Sequence, residues 1–155
     1  MSRLTAKPIA IAADHRGVAL KAHLKAWLEA RGYAVLDLGA QEADGRVDAM
    51  DYAVALAAEL KHGRSDFAVG LCGSGQMITM AANRFPFVRA TLLHSLDEAA
   101  PSRQHSDANV LALGADLVDA ATAEAMLEVF LGTEALGERY AERRERLARL
   151  DVSQV

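Results

Sequence analysis

One cysteine among 155 residues means that no disulfide can form within the chain, and a lone thiol fits a reducing compartment. Basic charge is not in excess either. Seventeen Lys and Arg against 21 Asp and Glu give a formal net charge of −4, which argues against a general nucleic-acid binder, because phosphate backbones attract basic surfaces. Long apolar runs are missing as well. Ile9–Ala13 stops at Asp14-His15, far too short to cross a membrane, and Met1–Pro8 lacks the apolar stretch of a signal peptide. The reading is a cytoplasmic protein with neither a membrane nor a nucleic-acid partner. With no linker-like tract, internal repeat or low-complexity segment, residues 1–155 suit a single domain that buries its own core.

What is present is an alternation of apolar runs with helical periodicity. Pro8–Ala13 reads as a buried strand, and Leu20, Leu24, Trp27, Leu28 and Arg31 follow at helical spacing, closed by Gly32. Further strands are expected at Ala34–Leu38, Phe67–Cys72, Val88–Leu93 and Asn109–Leu113. Helices are expected at Asp51–His62, Met77–Arg84, Leu96–Arg103, Ala120–Leu131 and Ala135–Leu150. Near-continuous apolar strands between helices imply an α/β fold whose parallel sheet is covered on both faces. The expectation is a doubly wound, five-stranded, flavodoxin-like (Rossmann-like) three-layer sandwich with a C-terminal helix and strand order 2-1-3-4-5. Its switch point, between strands one and three, brings Asp14-His15 next to Cys72-Gly73-Ser74-Gly75. Ligands of such sheets bind there, beyond the carboxyl ends of the strands.

Read by its surroundings, Cys72 stands at a strand end before a glycine turn and a helix, where backbone amides favour a thiolate. A lone cysteine is more commonly an inert core residue; the switch-point position favours function here. Gly73-Ser74-Gly75 is either a tight turn or an anion hole. The Lys of a phosphate-binding P-loop is absent, and Met77-Ile78 does not continue a dinucleotide fingerprint. Asp14-His15 reads alone as a surface turn or a binding pair. His105 reads alone as a solvated loop histidine, His23 and His62 as helix-surface residues, and His94 stays undecided. No histidine pair has zinc spacing and no Cys/His cluster exists, so no metal is expected. In the C-terminal helix, Glu142–Arg146 and Glu145–Arg149 have the spacing of solvated ion pairs. Arg139 and Arg143 share a face at i,i+4, a spacing able to clamp one phosphate.

Together these residues resemble the type B ribose-5-phosphate isomerases and the related galactose-6-phosphate isomerase subunits. The resemblance runs through Ala13-Asp14-His15-Arg16-Gly17 with Leu20-Lys21, then Val47-Asp48 and Tyr52-Ala53. It continues through Leu71-Cys72-Gly73-Ser74-Gly75, Ala81-Ala82-Asn83-Arg84, Arg103-Gln104-His105 and Asp107–Ala115, and ends at Gly137, Arg139 and Arg143. It implies a cofactor-independent aldose–ketose isomerase. Cys72 would be the base, a cis-enediolate would be held by loop amides at Gly73 and Gly75, Ser74 would orient the thiolate or substrate, and His105 would aid ring opening. Asp14 would hold hydroxyls, with Asn83 also at the substrate, and His15, Arg139 and Arg143 would hold the phosphate. The leading expectation is the ribose 5-phosphate/ribulose 5-phosphate pair. Alternatives are another aldose phosphate (a tetrose, galactose 6-phosphate or allose 6-phosphate type) and a non-catalytic sugar-phosphate-binding module.

Several positions depart from the family pattern. Ala49-Met50 replaces a usual Tyr-Pro, Met77 a glycine of the Cys loop, Ser106 an asparagine and Tyr140 a histidine. Asp116 stands where a phosphate-binding arginine is common. The acid at 116, with the space opened at Ala49, is expected to weaken affinity for ribose 5-phosphate or shift the substrate range. Cys72 lies at the exit of strand three and His105 on the segment entering strand five, about 16 Å apart along five residues of strand. A homodimer, or a dimer of dimers, with sites shared between subunits is therefore expected.

Overall fold

The computed structural model describes residues 5–155; of the N-terminal segment considered above for targeting, residues 1–4 lie outside the described residues. The chain order is β1 (Ile9–Ala13), α1 (Val18–Ala30), β2 (Val35–Asp37), α2 (Ala49–Lys61), β3 (Ala68–Cys72) and α3 (Gln76–Ala82). Then come β4 (Ala90–Leu92), α4 (Ala99–Ser106), β5 (Val110–Gly114), α5 (Ala120–Gly132) and α6 (Arg139–Ala148). All strand pairs are parallel. Helices start where short acids can cap them: Asp48 accepts from the Met50 amide at 2.9 Å and Asp119 from the Thr122 amide at 2.7 Å. Gly32, at φ 86°, turns the chain out of α1.

The sheet order is β2-β1-β3-β5-β4, which corrects the expected 2-1-3-4-5 at its last two places. The physical reason lies in the two strands themselves. Every residue of β5, Val-Leu-Ala-Leu-Gly, is buried, whereas all three of β4 are only half-buried. A central strand covered on both faces needs uninterrupted apolar sequence. Arg89 and Thr91 disqualify the fourth strand, so it takes the edge. Side-chain amides pin that edge: Asn83 bonds both the amide and carbonyl of Ala90, and Asn109 bonds the Arg89 amide and the Phe87 carbonyl.

The two faces of the sheet differ in residue size. Ile9, Ile11, Val69, Leu71, Leu111 and Leu113 face α1 and α5, where they meet Leu24, Leu28, Met126 and Phe130. Ala10, Ala12, Ala68, Cys72 and Ala112 face α2 and α3. Small residues let these two helices approach closely; a Cβ on Gly70 would stand 3.1 Å from both Ile78 and Leu56. Cys72 therefore projects from the sheet toward the α2/α3 side. Among the described residues no helix is long and apolar enough to cross a membrane.

Candidate active site

The turn after β1 is pressed onto the end of β3. The Asp14 amide donates to the Leu71 carbonyl at 3.0 Å, and a Cβ on Gly17 would lie 2.8 Å from Cβ of Leu71. Only glycine allows this approach. Asp14 is buried, and its Oδ1 accepts from the Arg16 amide at 2.9 Å. His15 is exposed; its Nδ1 lies 3.1 Å from the Val47 carbonyl and 3.3 Å from the Val47 amide. Asp14 and His15 line a cleft of about 500 Å³ together with Arg46, Val47, Ala49 and Met77. An ion pair braces this turn from below. Buried Lys21 donates to both oxygens of Asp37 at 2.7 and 2.8 Å, Asp37 accepts from the Gly39 amide, and the Gly39 carbonyl accepts from the Ala13 amide. Burial pushes the Asp37 carboxyl up, but Lys21, the Gly39 amide and Lys25 outweigh it and hold it below the usual range.

Cys72 is 4% exposed and packs in the same apolar cluster as Ala49, a residue of that cleft's wall. The Gly75 amide donates to its Sγ at 3.1 Å. Gly75 has φ +76°, and a Cβ there would stand 2.4 Å from Leu92 and 2.9 Å from the Gly114 amide nitrogen. This glycine is required by conformation and by space alike. The loop is stitched to the exit of β5: Ala115 and Asp116 amides donate to the carbonyls of Cys72 and Gly73. Ser74 is exposed, and its Oγ accepts from the Gln76 amide at 3.2 Å. The structure thus brings together Asp14, His15, Cys72, Gly73, Ser74 and Gly75.

A second group forms elsewhere. His105, at the end of α4, stacks on Tyr140 with ring centroids 4.7 Å apart and planes 6° from parallel. Arg139 and Arg143 lie over the same tyrosine at 4.9 and 5.9 Å, and Arg139 donates to its hydroxyl at 2.9 Å. The connector before α6 docks on α4 through the Leu136 amide and the Gln104 carbonyl. Buried Arg103 braces α4 from within, bonding Asp107, the Ala108 carbonyl and the Thr133 carbonyl. His105 lines a separate cleft along the open edge of β4, with Thr91–Leu93.

No hydrogen bond, ion pair or ring contact joins the two groups among the described residues. His105 stands at the open edge of β4, and β5 lies between β4 and β3, so about 10 Å of sheet separate that edge from the strand ending in Cys72. Asn83, expected at the substrate, stands away from the Cys72 loop. It caps the far end of α3, about 10 Å of helix from Gly75, and both polar atoms of its amide are committed to Ala90. Asp116, the acid standing where a phosphate-binding arginine is common, is paired: Arg16 Nε donates to its Oδ2 at 2.8 Å and Arg16 Nη2 lies 2.5 Å from the same oxygen. Sequence reasoning also missed Tyr140 as the platform for His105 and the arginines, and Arg46 in the cleft wall. An aromatic residue flanked by Arg139 and Arg143 was the available signal for Tyr140.

A family model described as ribose/galactose isomerase matches residues 9–147. Ribose-5-phosphate isomerase B of Escherichia coli is 35% identical over 145 residues, covering 94% of this chain and 97% of that protein. Among solved structures, a ribose 5-phosphate isomerase from Thermotoga maritima is 34% identical with TM-score 0.90, over 94% of this chain and 100% of the other. Ribose-5-phosphate isomerase B from Mycoplasma genitalium, solved with bound ribulose-5-phosphate, is 33% identical with TM-score 0.88, over 94% and 96%. With the fold matched across its whole sheet and the sequence across nearly all its length, the chain belongs to the ribose/galactose isomerase family.

Proposed function

We propose that the protein interconverts ribose 5-phosphate and ribulose 5-phosphate, with Cys72 as the base. The observation that carries this reading is the Gly75 amide donating to Cys72 Sγ at 3.1 Å, inside a glycine loop beside Asp14 and His15. That amide fixes the sulfur at the mouth of the glycine loop, where a base must be held in place. The thiolate takes the proton from the carbon next to the aldehyde. The electron pair forms a cis-enediolate, whose oxygens are held by amides of the Gly73–Gly75 loop; the hydroxyl proton passes from O2 to O1, and the carbon proton returns to the neighbouring carbon. Ser74 orients the reacting groups, Asp14 binds hydroxyls, and His105 assists ring opening. His15, Arg139 and Arg143 hold the phosphate. No cofactor is needed for this proton shuttle, and the cytoplasm is its compartment.

Because His105 and the arginines stand away from Cys72, the complete site is shared between two copies of the chain, in a homodimer or a dimer of dimers. Exposed Met50, Val54, Met77 and Met80 on α2 and α3, each at least 44% exposed, give the Cys72 side an apolar border suited to such an interface. The test is an isomerase assay across tetrose, pentose and hexose phosphates, the wider panel included because Ala49 leaves the cleft wall open. Turnover of ribose 5-phosphate is expected. A folded protein that turns over no sugar phosphate would sink the reading.

A further inference from the structure

We propose that Arg16 is a phosphate-binding residue of this site and that Asp116 is the residue that positions it; the inference rests on the sugar-phosphate reading above. Arg16 follows His15 directly, and its backbone is fixed by the bond from its amide to Asp14 and by the tight seat of Gly17 against Leu71. Its side chain crosses the end of β3. A Cβ on Gly73 would stand 2.8 Å from Arg16 Nε and 2.9 Å from Arg16 Cδ, so the guanidinium lies on the face of the Cys loop. Asp116 reaches the same spot from the exit of β5, its backbone tied to the Gly73 carbonyl at 3.0 Å. Both contacts between the pair fall on one carboxylate oxygen, from Nε and Nη2.

That leaves three of the five guanidinium hydrogens unspent on the carboxylate, on a side chain that is 58% exposed. A planar guanidinium with hydrogens to spare suits a phosphate. The side of the loop also matters. Cys72 projects toward α2 and α3, whereas Arg16 packs over the next residue of the loop, where a Cβ on Gly73 would stand. Arg16 thus lies over Gly73 and not on the Cys72 side chain, a position suited to the end of a short sugar away from its reacting carbons. Asp116 cancels part of its charge and fixes its direction, so the pair is a directional donor and not a free cation. The acid at 116 thereby serves phosphate binding by holding an arginine supplied from position 16.

Arg16→Ala separates the possibilities when KM, kcat and competitive inhibition by inorganic phosphate are measured together with thermal stability. KM for ribose 5-phosphate and Ki for inorganic phosphate are each expected to rise about tenfold, with kcat within about twofold of the parent. An unchanged Ki, whatever happens to stability, overturns the proposal and leaves a structural ion pair. A fall confined to kcat also overturns it, by putting the guanidinium on the reacting oxygens. Should Arg16→Ala fold poorly, the exchanged pair R16D/D116R restores both charges over Gly73. It is expected to keep Ki within about threefold, and a stable exchanged pair that phosphate no longer inhibits is equally fatal. A parent enzyme inactive on every sugar phosphate overturns the underlying reading, and this one with it.

Discussion

The two clusters that make up the candidate site are built by opposite means. Around Cys72 the parts are held by backbone: loop carbonyls bonded to the exit of β5, an amide on the sulfur, and glycines that leave no room for a Cβ. Around Tyr140 the parts meet mainly through side chains, with one backbone bond from Leu136 to Gln104, and α6 itself has no buried residue. Proton abstraction needs the base within a fraction of an ångström of its target, which rigid backbone provides. Gripping a phosphate tolerates more movement, because several long cations can share it. The difference also suits a shared site, in which one chain supplies the fixed chemistry and another the adaptable grip.

The hardest test of the rigid half is Cys72→Ala. Loss of a general base lowers turnover by ~10²–10⁴-fold, and kcat is expected to fall by about 10³-fold while circular dichroism and melting stay near the parent's. Near-parental turnover in a folded variant would remove the base from the mechanism. Whether the halves come from different chains is decided by mixing Cys72→Ala with His105→Ala. After random subunit exchange half the dimers are mixed, each with one intact site, so activity should recover to about a quarter of parental. Confirmed exchange without recovery would mean that each chain completes its own site.

Lys21→Met probes what braces the rigid half from below. Breaking this buried pair leaves the Asp37 carboxylate without its ammonium, a loss of about 3 kcal/mol measurable by urea unfolding. The sign with pH follows from Asp37, whose native pKa lies below its ordinary 3.8. A lowered carboxylate adds stability that is present above the unfolded value and lost as pH falls through the native one. The deficit of the variant should therefore be full at neutral pH and shrink below about pH 4. A deficit independent of pH would show that packing, and not the ion pair, is what Lys21 provides.

Much of this organisation could be read from the residues, and the failures share a cause. Periodicity located the five strands and six α-helices to within a few residues, because β1, β3 and β5 are continuously apolar and α1, α2 and α5 carry an apolar stripe. The gathering of Asp14 and His15 with the Cys72 loop followed from parallel topology. Strand order failed because an apolar run says that a strand exists and not which strand it pairs with; only Arg89 and Thr91 hinted at an edge. Arg16 and Asp116 are 100 positions apart, and His105 and Tyr140 belong to different helices. Pairings of that kind depend on how elements dock, which no local pattern encodes. Asn83 shows the same limit at shorter range: residues at the two ends of a short helix look adjacent in sequence yet stand at opposite ends of the strands.

The mildest change, and the one that sharpens the comparison most, is at Tyr140. If the adaptable half depends on this ring as its platform, Tyr140→Ala should loosen His105, Arg139 and Arg143 together while leaving the Cys72 loop untouched. An aromatic stacking contact is worth about 0.5–1.5 kcal/mol, so a rise in KM of roughly three- to tenfold is expected, with melting little changed because no residue of the helix is fully buried. Tyr140→Phe keeps the ring but removes the hydroxyl that receives Arg139, and should recover most of the affinity. Rescue by Phe identifies stacking as the organising contact; failure of Phe to rescue would assign the role to the Arg139–hydroxyl bond. A kcat loss in Tyr140→Ala as large as that of Cys72→Ala would erase the distinction, since the two halves would then be coupled in the chemical step itself.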